Sequence, residues 1–218
     1  MVHLYALADH PARLPALGGI AEAPLAAADA GGIDAIFSEV APGQTEASDE
    51  TILAHARVVE ELATLNDAVL PARLARPYES EAALVDAIGG RSPKLRAALE
   101  LVRDCVEMGV RVLREGSGAT PGPVSGGDYL RGRLAAVQSA DRVADELDAA
   151  VDAITRDRSR GVTATGELVL SAAYLLPRTE VESFREAVER IAGGHPEHAY
   201  VCVGPWPPYS FALVDGSA

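Results

Sequence analysis

The chain has 218 residues, enough for one large or two small domains that fold without disulfide or metal support. Its 19 basic and 32 acidic residues give a formal net charge of −13, so nucleic acid or an anionic bilayer would repel most of its surface. We therefore expect neither nucleic acid nor a membrane as a partner, and the 48% hydrophobic content predicts a folded globular protein.

Two further features bear on where the protein works. Cys105 and Cys202 lie in apolar surroundings without CxxC spacing, which is typical of buried thiols in a reducing compartment. The first residues lack the basic segment, apolar run and cleavage site of a secretory signal, and no stretch reaches the roughly eighteen apolar residues of a membrane span. The sequence predicts a cytoplasmic protein.

The N-terminal part mixes extended and helical patterns. Alternating apolar residues predict strands, and apolar residues at i, i+4 and i+7 predict helices. A long connection rich in Ala, Gly and Pro, residues 12–32, separates the first two strands. Gly89 and Gly90 end a short helix, so we place a boundary there and predict an α+β domain over residues 1–90. In the order strand, strand, helix, strand and helix, the elements before this boundary cover residues 2–8, 33–40, 48–66, 68–75 and 79–88, and a further helix is expected after it over 92–103.

The C-terminal part, residues 91–218, predicts a second α+β domain. After a clearly alternating strand at 106–112 and a Gly-rich loop, the longest helix of the chain is expected over 128–154. Thr179 and Glu182 have the spacing of a capping box that would open the last helix. The strand, helix, strand, strand, helix, strand order indicates a ferredoxin-like domain with a long helix. The remaining strands are expected near 162–165 and over 168–176 and 199–203.

Motifs of the commonest chemistries are absent from the sequence. It has no GxxxxGK[ST], no GxGxxG after a strand, no GxSxG and no HExxH, so we predict no catalytic residue, cofactor or metal. His195 and His198 are three residues apart but flank Pro196 between a helix end and a strand. That arrangement favours a plain turn over a metal site.

An enzyme on a ferredoxin-like scaffold is the alternative, with Glu107, Arg111 and His55 around a pocket. His55 lies at the edge of the apolar face of its helix, which is typical of a hydrogen-bonded packing histidine. Glu107 and Arg111 share one face of a strand, where an ion pair with a neighbouring strand is the simpler interpretation. Fold class alone does not exclude the enzyme.

A stripe of aspartates follows the long helix at intervals of four, three and four residues. A solvated helix face is the simpler interpretation, although like charges at this spacing slightly destabilise a helix. The alternative is a docking surface for an arginine-rich partner. The stripe consists of Asp141, Asp145, Asp148 and Asp152.

The segment after the last strand contains three prolines and three aromatic residues within eight positions. The prolines fix its course, so we expect Trp206, the only tryptophan, to be buried as part of a structural signature. Tyr209 and Phe211 come later and are less constrained, which makes them candidates for contact with a partner. The structural signature comprises Gly204, Pro205, Trp206, Pro207 and Pro208.

This segment, GPWPPYSF, resembles the C-terminal signature of the gas vesicle protein L/F family (GvpL/GvpF). Where relatives often have Phe-Gly after an "LP.R" segment, this chain has Leu74-Ala75. The other segments that resemble the family, in chain order, are HLYAL from His3, VLP from Val69 with Arg73, EMGVRV from Glu107, and Tyr129-Leu130 with Arg133.

The resemblance implies a minor, non-enzymatic component of gas vesicle formation, located in the cytoplasm and the vesicle. It implies binding to the small hydrophobic shell protein GvpA, with other gas vesicle accessory proteins as further partners, so that GvpA does not aggregate during vesicle nucleation. A highly charged binder would keep such an apolar protein dispersed. A scaffold that bridges other assembly factors is a further alternative.

Overall fold

The structure is a computed structural model that describes residues 1–74, 77–114, 126–162 and 168–212, with the backbone alone for residue 162 and for part of 126–139. The chain divides into two compact units. Unit 1 consists of Met1–Val106 and the described residues from Trp206 onward, and unit 2 is Glu107–Pro205. No helix among the described residues is long and apolar enough to cross a membrane.

Unit 1 contains a four-stranded sheet in the order β2-β3-β1-β4. The β1–β3, β1–β4 and β2–β3 pairs are all antiparallel. Ser48 and Thr51 form a capping box that begins the longest helix of the unit. The elements are β1 (Val2–Asp9), β2 (Leu25–Asp29), β3 (Ile33–Glu39), α1 (Asp49–Leu65), β4 (Val69–Pro71), α2 (Glu81–Gly89) and α3 (Ser92–Val102).

Strand β2 lies within residues 12–32, where the composition predicts a long connection. Its three alanines, Ala26 to Ala28, pair with Phe37, Ile36 and Ala35 of β3. A run of identical small side chains gives no period-two contrast between buried and exposed positions, so the pattern does not identify the strand.

A bulge at Tyr5 shapes the core of unit 1. The register between β1 and β3 shifts between Leu4 and Ala6, which leaves Tyr5 as the extra residue of the strand. Its ring is fully buried, and its hydroxyl oxygen accepts a 2.7 Å hydrogen bond from the Ile20 backbone N–H and lies 2.8 Å from Ser38 Oγ. The bulge therefore fixes the turn around Ile20 against the sheet.

Helix α3 and the C-terminal turn belong to unit 1, whereas the sequence predicts both in a domain that begins at residue 91. Helix α3 packs against β4 and buries Leu95, Leu99 and Val102. The turn Tyr209–Phe211 also contacts β4. These apolar contacts, rather than the glycine pair after α2, determine where the unit ends.

Unit 2 contains a four-stranded sheet in the order β6-β7-β5-β8. Its elements follow the strand, helix, strand, strand, helix, strand order that the sequence predicts. Helices α4 and α5 contact each other, and α4 also contacts β6 and β7. The elements are β5 (Cys105–Arg114), α4 (Gly126–Val151), β6 (Asp157–Val162), β7 (Leu168–Pro177), α5 (Val181–Gly194) and β8 (His198–Trp206).

Two local expectations for unit 2 were wrong. Strand β6 begins at Asp157, before the position near 162–165 that the sequence suggested, because its arginines lie beside the aspartates of α4. The Thr179 capping box does not form, since a short 3-10 turn over Arg178–Glu180 leads directly into α5. Most of the predicted Gly-rich loop lies outside the described residues.

Candidate interaction surface

In the C-terminal segment GPWPPYSF, the aromatic residues are buried and exposed in the opposite way to that predicted from the sequence. Trp206 is 47% exposed, so its prediction as a core residue is wrong. Phe211 is 8% exposed, and Tyr209 packs beside the core cluster that contains Tyr5 and Leu62. Burial raises the pKa of Tyr209 to about 12. The turn after the prolines directs these two rings inward, so in this conformation neither is the open contact that we expected.

Gly204 allows the chain to turn at the start of the signature. Its φ of +112° is a conformation in which a side chain would be strained. The Gly204 carbonyl accepts a 3.0 Å hydrogen bond from Arg185 Nη2 of α5, and Arg185 also pairs with Glu182 at 2.6 Å. Helix α5 thus holds the end of β8 in place.

Strand β8 presents an apolar strip at the edge of its sheet. Val201 and Val203 are 40% and 37% exposed, and we call these two residues the apolar strip. Val203 lies over Gly109 of β5, where an added Cβ would come within 2.9 Å of Val203 Cγ2. Sequence reasoning missed this strip, although the alternation of valines with Tyr200 and Cys202 is the signal that could have shown it.

The aspartate stripe is not a uniform solvated face, because the side chain of Asp148 is only 13% exposed. Its carboxylate accepts a 2.8 Å hydrogen bond from the Tyr174 hydroxyl. Arg160 lies 3.0 Å and Arg158 3.4 Å from its other oxygen. Burial, the hydrogen bond to Asp148 and its negative charge raise the pKa of Tyr174 well above the usual value.

The same two arginines of β6 also engage two exposed aspartates of the stripe. Arg160 pairs with Asp145 at 3.0 Å, and Arg158 pairs with Asp152 at 2.6 Å. The fourth aspartate, Asp141, is exposed, and its negative charge acts on Arg160. Arginines of the kind that the docking alternative assigns to a partner are therefore present on the neighbouring strand.

The model of the family described as "Gas vesicle synthesis protein GvpL/GvpF" matches residues 1–120 and 130–213. The chain belongs to this family. Gas vesicle protein L of a Streptomyces species is 31% identical over 182 residues, which cover 73% of this chain and 67% of that protein. Gas vesicle protein F1 of Halobacterium salinarum is 24% identical over 182 residues, which cover 82% of this chain and 76% of that protein.

Two crystal structures of GvpF proteins share the fold of this family member. The GvpF structure from an Anabaena species has a TM-score of 0.80 at 16% identity and covers 98% of both chains. The GvpF structure from Microcystis aeruginosa has a TM-score of 0.78 at 16% identity, with 98% of this chain and 99% of that chain covered. The α+β fold with two four-stranded sheets is thus one that GvpF proteins adopt.

Of the three residues considered for catalysis, His55 has the clearest structural role. It is 4% exposed, and its Nε2 donates a 2.8 Å hydrogen bond to the Ala72 carbonyl. Its Nδ1 must then accept the 2.9 Å hydrogen bond from His3 Nε2. With both ring nitrogens engaged, His55 is a packing residue of unit 1, while Glu107 and Arg111 lie on β5.

Unit 1 also has a groove of about 460 Å³ between α1 and the turn around Ile20. Leu53, which is 62% exposed, lines it together with Ala54. The charged residues of its described lining are Glu22, Glu50 and Arg57, and this lining includes neither histidine nor cysteine. The described lining of the groove thus combines apolar side chains with acidic and basic ones.

Proposed function

We propose that this GvpL/GvpF family member is a non-enzymatic assembly factor that binds the small hydrophobic shell protein of gas vesicles, GvpA. In this proposal it prevents aggregation of the shell protein while vesicles nucleate. Family membership supports a role in gas vesicle formation, and the relatives are named gas vesicle proteins. The choice of an apolar partner rests on the surface of unit 2.

The observation that carries the proposal is the apolar strip on the edge strand β8. Edge strands readily pair with other chains, and proteins commonly protect them with charged residues or proline. At positions 201 and 203 this strand exposes valine instead. A partner strand with apolar side chains could add to this edge and cover Val201 and Val203. An apolar shell protein has the chemistry of such a partner.

The charge of the chain supports the proposal that it prevents aggregation of the shell protein. A formal net charge of −13 makes a complex with an apolar protein repel its copies, which opposes aggregation. The described surface combines this charge with few large exposed apolar side chains. The chain therefore has a local surface for apolar contact and a general surface for solubility.

A scaffold that bridges other accessory proteins is the second candidate. It is favoured by the α1 groove of unit 1, where the lining residue Leu53 is 62% exposed. A bridging protein needs two separate contact surfaces, and this groove and the apolar strip lie in different units. Recovery of accessory proteins in the absence of GvpA would favour this candidate.

Co-expression with the shell protein and affinity recovery of this chain test the proposal. We expect recovery of GvpA to fall several-fold in the V201T/V203T double variant, which keeps the β-branched shape but adds hydroxyl groups. L53S is the control, because it makes an even more exposed apolar side chain polar, but in unit 1. Undiminished recovery with V201T/V203T would contradict a role for the strip. Absence of GvpA with the unmodified chain would contradict the function.

A further inference from the structure

The turn between α5 and β8 gathers two histidines and a glutamate. His195 Nδ1 and His198 Nδ1 each lie 3.3 Å from Glu197 Oε1. All three atoms lie within 4.8 Å of one another. The sequence predicts a plain turn at this position, because Pro196 separates the histidines along the chain; the fold nevertheless brings their rings to a centroid distance of 6.4 Å.

These separations match a tetrahedral metal site. Zinc bonds to imidazole nitrogen and carboxylate oxygen are about 2.0 to 2.1 Å long, so two ligand atoms of one tetrahedron are about 3.4 Å apart. Both contacts of Glu197 have nearly this length. A glutamate between two histidines is also a donor set that zinc accepts.

His198 provides an independent observation. Its side chain is only 7% exposed. Within the described part of the chain, its Nδ1 has no hydrogen-bond partner, because the contact with Glu197 lacks hydrogen-bond geometry. Leaving a buried polar atom unpaired is unfavourable. A cation between His198 and Glu197 would satisfy this nitrogen.

Glu146 of α4 orients the other histidine. Its Oε2 lies 2.7 Å from His195 Nε2, so the ring donates the Nε2 proton to this carboxylate. The lone pair of Nδ1 then faces Glu197, and the two repel each other unless a proton or a cation lies between them. Metal-bound histidines commonly donate their second N–H to a carboxylate in this way.

We propose that His195, Glu197 and His198 bind a divalent transition metal, preferably zinc, with Glu146 as the residue that positions His195. Three protein ligands leave a fourth position for water. The ion would connect α4, the turn and β8 within unit 2. Because it binds the folded unit, it would stabilise that unit against unfolding.

Titration of the purified, chelator-treated full chain with Zn²⁺ and Co²⁺ tests this proposal. We expect one metal per chain by calorimetry and the visible absorption of tetrahedral cobalt. E197Q and H198Q should each weaken zinc binding by at least about 100-fold, and E146Q by about 10- to 100-fold. H10Q is the matched control, because His10 with Asp29 and Asp34 forms the second His and carboxylate group among the described residues.

Circular dichroism shows whether each variant is folded. Glu197 has a 59% exposed side chain, so E197Q should fold normally even if H198Q does not. No cobalt spectrum with the unmodified chain would overturn the proposal. Binding that survives in folded E197Q would also overturn it, as would binding that H10Q abolishes.

Discussion

His3 and His55 face each other in the core of unit 1, where His3 Nε2 donates a 2.9 Å hydrogen bond to His55 Nδ1. His55 in turn donates to the Ala72 carbonyl, so the pair connects β1, α1 and the end of β4. Both rings also contact the ring of Tyr5. The His3 ring meets it edge-on at a centroid distance of 4.8 Å, and the His55 ring stacks on it at a centroid distance of 5.4 Å. Burial and the charge of His55 lower the pKa of His3 to about 4.

Unit 1 should therefore lose stability as the pH falls from 6.5 to 4. The unfolded chain takes up a proton on His3 near pH 6.5, whereas the folded chain does so only near pH 4. The free energy of unfolding should fall by about 3 kcal/mol over this interval, and this contribution is fully present above pH 6.5. Urea unfolding followed by circular dichroism at several pH values measures it.

The H3Q variant is the control for this pH dependence, because glutamine keeps an N–H donor but does not titrate. In H3Q, most of the decrease in the free energy of unfolding between pH 6.5 and 4 should disappear. H10Q should act at higher pH instead: the hydrogen bond to Asp34 and its charge raise the pKa of His10, so the contribution of His10 is fully present below pH 6.5 and is lost as the pH rises above it. The same slope in H3Q and the unmodified chain would show that His3 is not responsible.

Replacement of Asp148 by alanine should destabilise unit 2 by about 2 kcal/mol, because the buried Tyr174 hydroxyl loses its acceptor. Asp145→Ala is the matched control on the same helix. Its side chain is 70% exposed and also pairs with Arg160, so the loss should stay below about 1 kcal/mol. Equal losses of stability in Asp148→Ala and Asp145→Ala, measured by thermal or urea unfolding, would contradict the central role of Asp148.

Gly19→Ala should destabilise unit 1 by about 2 kcal/mol or more, because an added Cβ would come within 2.1 Å of the Tyr5 hydroxyl oxygen. Gly89→Ala, at the end of α2, places its Cβ in open space. That change should be neutral or stabilise by about 0.5 to 1 kcal/mol. Urea unfolding of both variants makes the comparison. A stable Gly19→Ala variant would show that the turn around Ile20 is not held by Tyr5.

Trp206→Ala should change the free energy of unfolding by less than about 1 kcal/mol. Truncation of a buried tryptophan typically costs about 3 to 5 kcal/mol, but the Trp206 side chain is 47% exposed. Phe211→Ala, which removes a buried ring, should cost about 3 kcal/mol. Denaturant unfolding distinguishes the two, and a large loss for Trp206→Ala would restore the buried role that the sequence suggested.

The sequence predicts most elements because their signals are local. Strand β5 alternates clearly, and α1 and α4 repeat apolar residues at helical spacing. The family could also be identified from sequence, since the GPWPPYSF segment is compositionally rare. Strand β2 was not predicted, because its three consecutive alanines give no alternation of apolar and polar residues.

The candidate site was harder to predict because its features depend on contacts between distant residues. The burial of Tyr209 and Phe211 depends on β4 and the unit 1 core, far away in sequence. Pairing of the aspartate stripe depends on Arg158 and Arg160 of a later strand. The close approach of Val203 to β5 depends on Gly109, where an added Cβ would come within 2.9 Å of Val203 Cγ2. Single-sequence patterns do not report which strand or helix becomes a neighbour.

Sedimentation of purified shell protein tests the central claim most directly. The measured quantity is the fraction of GvpA that stays in the supernatant as this chain is added in increasing amounts. We predict that the fraction rises and saturates at a fixed molar ratio, and that V201T/V203T needs several-fold more protein for the same effect. An unchanged pelleted fraction at every ratio, with this chain itself remaining soluble, would contradict the claim.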